Sequence, residues 1–229
     1  MVQKKIKAVI FDLDGVIIDS NPQIEKFWHQ WASKTERQLS RKDFTKYIHG
    51  RKGTETLEAL FNDLSSEIKD EIIRDAIEFD SVMEPEPVKG IYDFIQTLIQ
   101  SNIPIGLVTS SHRKRALLML QKQSLHNGFK AHVTAEDVTK GKPDPEPYTT
   151  IAKKLNQEPY DCLVFEDAIS GVESAKEAGM EVIGINTEEV ANDLVKKGAE
   201  CVVSNFNEIR VEQNKLYIND IITYILQAL

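Results

Sequence analysis

Short apolar runs bounded by polar or turn residues recur along this chain: 6–11 (IKAVIF), 103–108 (IPIGLV), 131–134 (AHVT), 161–165 (DCLVF), 181–185 (EVIGI) and 201–203 (CVV). Their length and their content of Val and Ile predict buried strands. Between the later runs, apolar positions return at helical spacing in 88–100 (VKGIYDFIQTLIQ), 112–123, 146–155 and 170–178 (SGVESAKEA), the last stopped by Gly179. Strand alternating with helix predicts an α/β fold, a Rossmann-like parallel sheet with helices on both faces. Ligands of such a sheet bind beyond the carboxyl ends of its strands.

The first strand breaks the rhythm. From residue 16 to 84 the pattern is helical and charged (QIEKFWHQWASKTERQ, TETLEALFNDL, SEIKDEIIRDAIEFDSVM), with no strand run, and EPEPVKG (84–90) has the prolines of a linker. This predicts a catalytic core of residues 1–15 and 86–229, interrupted at 16–85 by an all-helical cap. An insertion at the carboxyl end of the first strand would sit over the ligand crevice as a lid. The amphipathic tail LYINDIITYILQAL (216–229) is expected to pack on the core.

Composition narrows the function. A formal net charge of −8 argues against a general attraction to nucleic acid or to an anionic membrane. Cys162 and Cys201 have no metal or redox spacing, and the apolar run that begins the chain stops at Asp12, too soon for a secretion signal. A cytoplasmic protein is expected, monomeric or weakly dimeric, with a small molecule as its partner.

The candidate chemistry lies at the strand ends. Asp12 and Asp14 end the first run as DLDG; alternation aims both to one side of an extended chain. Alone, DLDG also reads as a strand-ending turn. LVTSS (107–111) offers Thr109 and Ser110 either to a phosphate or as a helix N-cap. GKPDPEP (141–147) presents Lys142 from a loop stiffened by three prolines, and LVFEDAISG (163–171) carries Glu166 and Asp167. If neighbouring strand ends bring them together, Asp12, Asp14, Glu166 and Asp167 repel one another unless a cation intervenes. Few, hard oxygen ligands suit Mg²⁺. A lysine and hydroxyls beside such a site suit a phosphoryl group. One carboxylate, Asp12, is then the candidate nucleophile, and Asp14 the candidate general acid and base.

FDLDG, Thr109 with Ser110, Lys142 in GKPDPEPY and Glu166-Asp167 in FEDAISG stand in the order of four motifs of the haloacid dehalogenase superfamily. The chain resembles the capped sugar-phosphatase and β-phosphoglucomutase-like branch over nearly its whole length. The resemblance implies a Rossmann-like core with a small four-helix cap. It also implies Mg²⁺ held by the Asp12 carboxylate, the Asp14 backbone carbonyl and Asp167, with Glu166 assisting.

Within that superfamily, Asp14 argues against dehalogenation, which needs no proton on a departing alcohol. β-Phosphoglucomutases carry a cap histidine ten residues after the second aspartate, where this chain has Ile24, and a lysine where it has His49. Both differences favour a phosphatase for a small sugar or polyol phosphate over a mutase. His49, Arg51 and Lys52 in IHGRKGTET are the expected substrate-facing residues of the cap. A mutase, and a non-catalytic phosphate sensor, remain as alternatives.

Overall fold

The computed structural model describes residues 4–186, 188–219 and 222–228. In chain order its strands and helices are β1 (Lys4–Ile6), β2 (Ala8–Phe11), β3 (Ile18–Asp19), α1 (Asn21–Lys34), α2 (Arg41–Asp43), α3 (Gly53–Leu60), α4 (Ser66–Val82), β4 (Glu86–Pro87), α5 (Ile91–Gln100), β5 (Ile105–Val108), α6 (Arg113–Lys122), β6 (Ala131–Val133), α7 (Glu146–Leu155), β7 (Cys162–Glu166), α8 (Ile169–Glu177), β8 (Glu181–Ile185), α9 (Glu188–Lys196), β9 (Cys201–Val203), β10 (Ile209–Glu212), β11 (Lys215–Ile218) and β12 (Ile222–Leu226).

Six strands form a parallel sheet in the order β6-β5-β2-β7-β8-β9. Its central strands are apolar, β7 up to its last residue Glu166, because both faces are covered. Val9, Phe11, Leu163 and Phe165 turn to one face, where they meet Ile95 of α5 and Met119 of α6. Ala8, Ile10, Cys162 and Val164 turn to the other, against Tyr148 and Ile151 of α7 and Val172 of α8. The first face is aromatic: the rings of Phe11 and Phe165 stack 5.4 Å apart, and Phe94 meets Phe165 edge-on at 5.3 Å. The expected α/β architecture with helices on both faces is present.

Helices α1 to α4 have their own core, built on Phe27, Trp28, Trp31, Phe61 and Ile72. Between α2 and α3 the chain makes a π turn, Phe44–Ile48. Where the sequence predicts no strand before residue 84, β3 pairs with β4, Ile18 opposite Pro87 and Asp19 opposite Glu86. The chain thus enters and leaves the insertion on a two-residue antiparallel ribbon, too short to leave a hydrophobic pattern.

A second sheet, β1-β12-β11-β10, was not expected. Part of the 216–229 tail, residues 220, 221 and 229, lies outside the described residues. The rest forms strands that bury Leu216, Ile218, Tyr224 and Leu226 in the core. Among the described residues no helix is long and apolar enough to cross a membrane.

Candidate active site

The parallel sheet sets the site. β2 and β7 are in register, with Phe11 opposite Phe165, so the residues that follow them emerge side by side. The Asp12 amide donates to the Phe165 carbonyl at 3.0 Å, which extends the pairing to the first carboxylate. Gly15 then turns the chain at a positive φ of 77°. A Cβ there would stand 2.1 Å from Asp167 Oδ2, so only glycine lets the first loop pass the last one.

Asp12, Glu166 and Asp167 are buried, and each offers a carboxylate oxygen within 4.8 Å of the others. Lys142 reaches them from the loop before α7. Its side chain is 1% exposed, and Nζ lies 2.5 Å from Asp12 Oδ1 and 2.5 Å from Glu166 Oε1. The Tyr148 hydroxyl donates to Glu166 Oε1 at 2.9 Å, and the Asp167 and Ala168 amides donate to Oε2 at 2.9 and 3.1 Å. Glu166 is thereby saturated with donors. Asp167 Oδ2 accepts from the side-chain Nδ2 of Asn21, the first residue of α1, at 2.6 Å.

One ammonium does not balance three carboxylates in so dry a place. Burial, with Glu166 and Asp14 nearby, pushes the Asp12 carboxyl up to about 8 even though Lys142 opposes it. Burial and the same crowding hold Asp167 well above the usual carboxylate range. Lys142 is displaced upward in spite of its burial, because Asp12 and Glu166 stabilise its charge. The donor set, with its excess of hard anionic oxygen, fits a small divalent cation.

Asp14 is elsewhere in the network. Ser20 donates to its Oδ1 at 2.5 Å, and Arg115 of α6 grips both oxygens, Nη2 to Oδ1 and Nη1 to Oδ2, each at 2.7 Å. Burial would raise its pKa, but Arg115 and the hydroxyls of Ser20 and Ser111 outweigh that and lower it. In this arrangement Asp14 is a charged base. Its carboxylate faces Arg115 and not the Asp12, Glu166 and Asp167 trio.

The remaining expected residues divide. Thr109, buried at the end of β5, accepts the Ser111 amide on Oγ1 at 3.1 Å. The Ser110 hydroxyl donates to the Gly50 carbonyl of the insertion at 2.7 Å. Arg51 Nη1 donates to the Lys142 carbonyl at 2.6 Å, and Lys52 Nζ to the carbonyls of Ala135 and Val138 at 3.1 and 3.2 Å. The side chains of Arg51 and Lys52 thus tie the insertion to the core. His49 does line the cleft of about 800 Å³ between insertion and core, with Glu25, His29, Arg41 and Thr45. Its Nε2 stands 3.1 Å from Glu25 Oε1, out of line for a hydrogen bond, and burial lowers its pKa in spite of Glu25, so the pair is ionic only once the imidazole is protonated.

Sequence reasoning missed Arg115, Asn21, Tyr148 and Glu25. Arg115 is the last of three basic residues in HRKR; Arg113 and Lys114 are exposed, and only the third turns inward. Asn21 had a signal, since it follows the DLDG stretch at the mouth of the insertion.

Residues 9–185 match the family model described as haloacid dehalogenase-like hydrolase. The validoxylamine A 7'-phosphate phosphatase of Streptomyces hygroscopicus subsp. limoneus is 30% identical over 209 residues, 89% of this chain and 96% of the relative. The beta-phosphoglucomutase of Bacillus subtilis is 31% identical, covering 90% and 93%. Hexitol phosphatase A of Escherichia coli is 32% identical, covering 80% and 84%. Among solved structures, a HAD hydrolase of family IA, variant 3, from Entamoeba histolytica superposes with a TM-score of 0.77 at 30% identity, over 91% of this chain and 97% of that one.

Proposed function

Because the chain belongs to the haloacid dehalogenase-like hydrolases, we propose that it is a magnesium-dependent phosphatase of a small sugar or polyol phosphate, working through an aspartyl-phosphate on Asp12. The observation that carries the reading is the convergence of Asp12, Lys142, Glu166 and Asp167 beside Asp14 at the carboxyl end of the sheet.

Asp12 and Asp167, with the backbone carbonyl of Asp14, would hold the metal. Glu166, its oxygens already occupied by four donors, serves by fixing Lys142. Bound there, Mg²⁺ would offset the carboxylate charge and that of the phosphoryl oxygens. Thr109, the neighbouring backbone amides at Ser110 and Lys142 hold the phosphoryl group. An Asp12 carboxylate oxygen attacks phosphorus, the ester P–O bond breaks, and Asp14 gives its proton to the departing alkoxide. Asp14 then takes a proton from water as that water attacks the same phosphorus, releasing inorganic phosphate and free Asp12. Asp14 therefore enters the first step carrying a proton taken from solvent as its hold on Arg115 loosens, and enters the second step charged, with that hold re-formed. The cleft above would select the alcohol, with His49 and Glu25 facing it.

A mutase is the second reading, favoured by the beta-phosphoglucomutase of Bacillus subtilis among the relatives. Against it, Ile24 packs on the core of the insertion, so no titratable group stands at that position of α1. A screen of sugar and polyol phosphates with and without Mg²⁺ separates the two. Release of inorganic phosphate as the sole product supports the phosphatase; isomerisation of a hexose 1-phosphate, stimulated by a bisphosphate, establishes the mutase.

A further inference from the structure

Arg115 lies outside every motif that carries the family resemblance, yet it is the most heavily engaged cation beside Asp14. Its Nη1 and Nη2 meet the two Asp14 oxygens at 2.7 Å, and Nη1 also donates to Ser111 Oγ at 2.7 Å. Its remaining edge is taken as well: Nε donates to Asp80 Oδ1 at 2.7 Å. Asp80 belongs to α4 of the insertion, Arg115 to α6 of the core, and Asp14 to the loop after β2. One guanidinium therefore spans a cap helix, a core helix and the carboxyl group assigned to proton transfer.

The fork geometry matters. A guanidinium paired through two parallel hydrogen bonds fixes the plane of its carboxylate as well as its distance, which a point charge such as lysine does not do. An arginine side chain is long and has many rotamers, and the Asp80 contact at Nε removes most of that freedom. With Ser20 on one oxygen and Arg115 on both, Asp14 stands where the guanidinium puts it. The place of the guanidinium in turn depends on where α4 rests.

We propose that Asp80, acting through Arg115, is a positioning residue of the reaction: it seats the guanidinium whose fork sets the place of the Asp14 carboxyl, so that the seating of the cap is felt at the leaving-group oxygen. The inference rests on the phosphatase reading. It predicts a defect confined to the two proton transfers of Asp14, to the departing alkoxide and from the attacking water, because Asp80 bonds to Arg115 and not to Asp12, Lys142 or Thr109.

The test uses the full chain with Mg²⁺ and two probes: p-nitrophenyl phosphate, whose phenolate departs without a proton, and the best alkyl phosphate from the screen, whose alkoxide needs one. Asp80→Asn keeps the shape at Asp80 and removes its charge; Arg115→Lys keeps a charge and removes the fork. Both variants should lower kcat for the alkyl ester by about tenfold or more. KM, and the first-turnover burst of nitrophenol, should stay within about twofold of wild type. Asp80→Glu should recover part of the alkyl rate. Equal losses in the first turnover of the two esters, or no loss with Asp80→Asn, overturn the inference and leave the phosphatase reading intact. A wild type that turns over neither ester overturns both.

Discussion

Arg51 of the insertion donates to the backbone carbonyl of Lys142 at 2.6 Å, across 91 positions of sequence. The bond joins the cap to the very residue whose ammonium bridges Asp12 and Glu166. Gly50 lies beside it at a positive φ of 70°, so close to the core that a Cβ would meet Ser170 Oγ at 2.6 Å. With Ser110 on the Gly50 carbonyl and Lys52 on the Ala135 and Val138 carbonyls, this short loop closes the site.

Arg51→Ala removes a charge-assisted hydrogen bond at that seam, a loss of about 1–2 kcal/mol. Steady-state kinetics should show kcat/KM lowered roughly tenfold, with kcat sharing the loss because the Lys142 loop is no longer held. A rise in KM alone would instead make Arg51 a substrate contact.

Gly171→Ala should be felt in stability before activity. Its Cβ would fall 1.8 Å from Glu166 Oε1, and Glu166, held by Lys142, Tyr148 and two amides, has nowhere to go. Overpacking of this severity costs about 3 kcal/mol, which for a chain of this size is roughly 6–12 °C in Tm by thermal melting. A melt within error of wild type would mean that the loop after β7 gives way freely.

Metal and pH should be linked through Asp12. In metal-free protein its pKa is raised from the ordinary 3.8 to about 8. Between those values the folded chain keeps a proton that the unfolded chain has lost, so this group makes stability fall as pH rises through that window and adds no slope above about 8. Mg²⁺ binding must displace that proton. Melts in EDTA should therefore show the declining slope, and the gain in Tm on adding Mg²⁺ should grow as pH approaches about 8. A gain in Tm that is the same at every pH would place the metal away from Asp12.

Much of this arrangement is legible in sequence because the strands of a two-sided parallel sheet are written as apolar runs, and Asp12 and Glu166 each follow one directly. IKAVIF before Asp12 and CLVF before Glu166 name both the strand and the end that matters. The β10–β11 hairpin was harder to read. Its two-residue loop, Gln213-Asn214, adopts φ values of 48° and 62° without a glycine to announce them. Alternation in KLYI and ITYIL then passes for an amphipathic tail. Arg115 and Asp80 are illegible for another reason. Each is one charge in a charged helical stretch, and a burial direction that depends on the neighbouring helix leaves no trace in spacing. Arg51 and Lys52 are expected from the sequence to face the substrate; their reach to main-chain carbonyls of the core instead depends on how the insertion is seated.

The most direct measurement is trapping of the phosphoryl group on the chain. Acid quench of wild type turning over p-nitrophenyl phosphate with Mg²⁺, followed by mass spectrometry of the peptide spanning residues 8–19, should find one added phosphoryl group on Asp12. Asp12→Asn should show neither the adduct nor turnover while melting as a folded protein. Turnover persisting in purified Asp12→Asn, or phosphorylation at any other residue, would contradict the account.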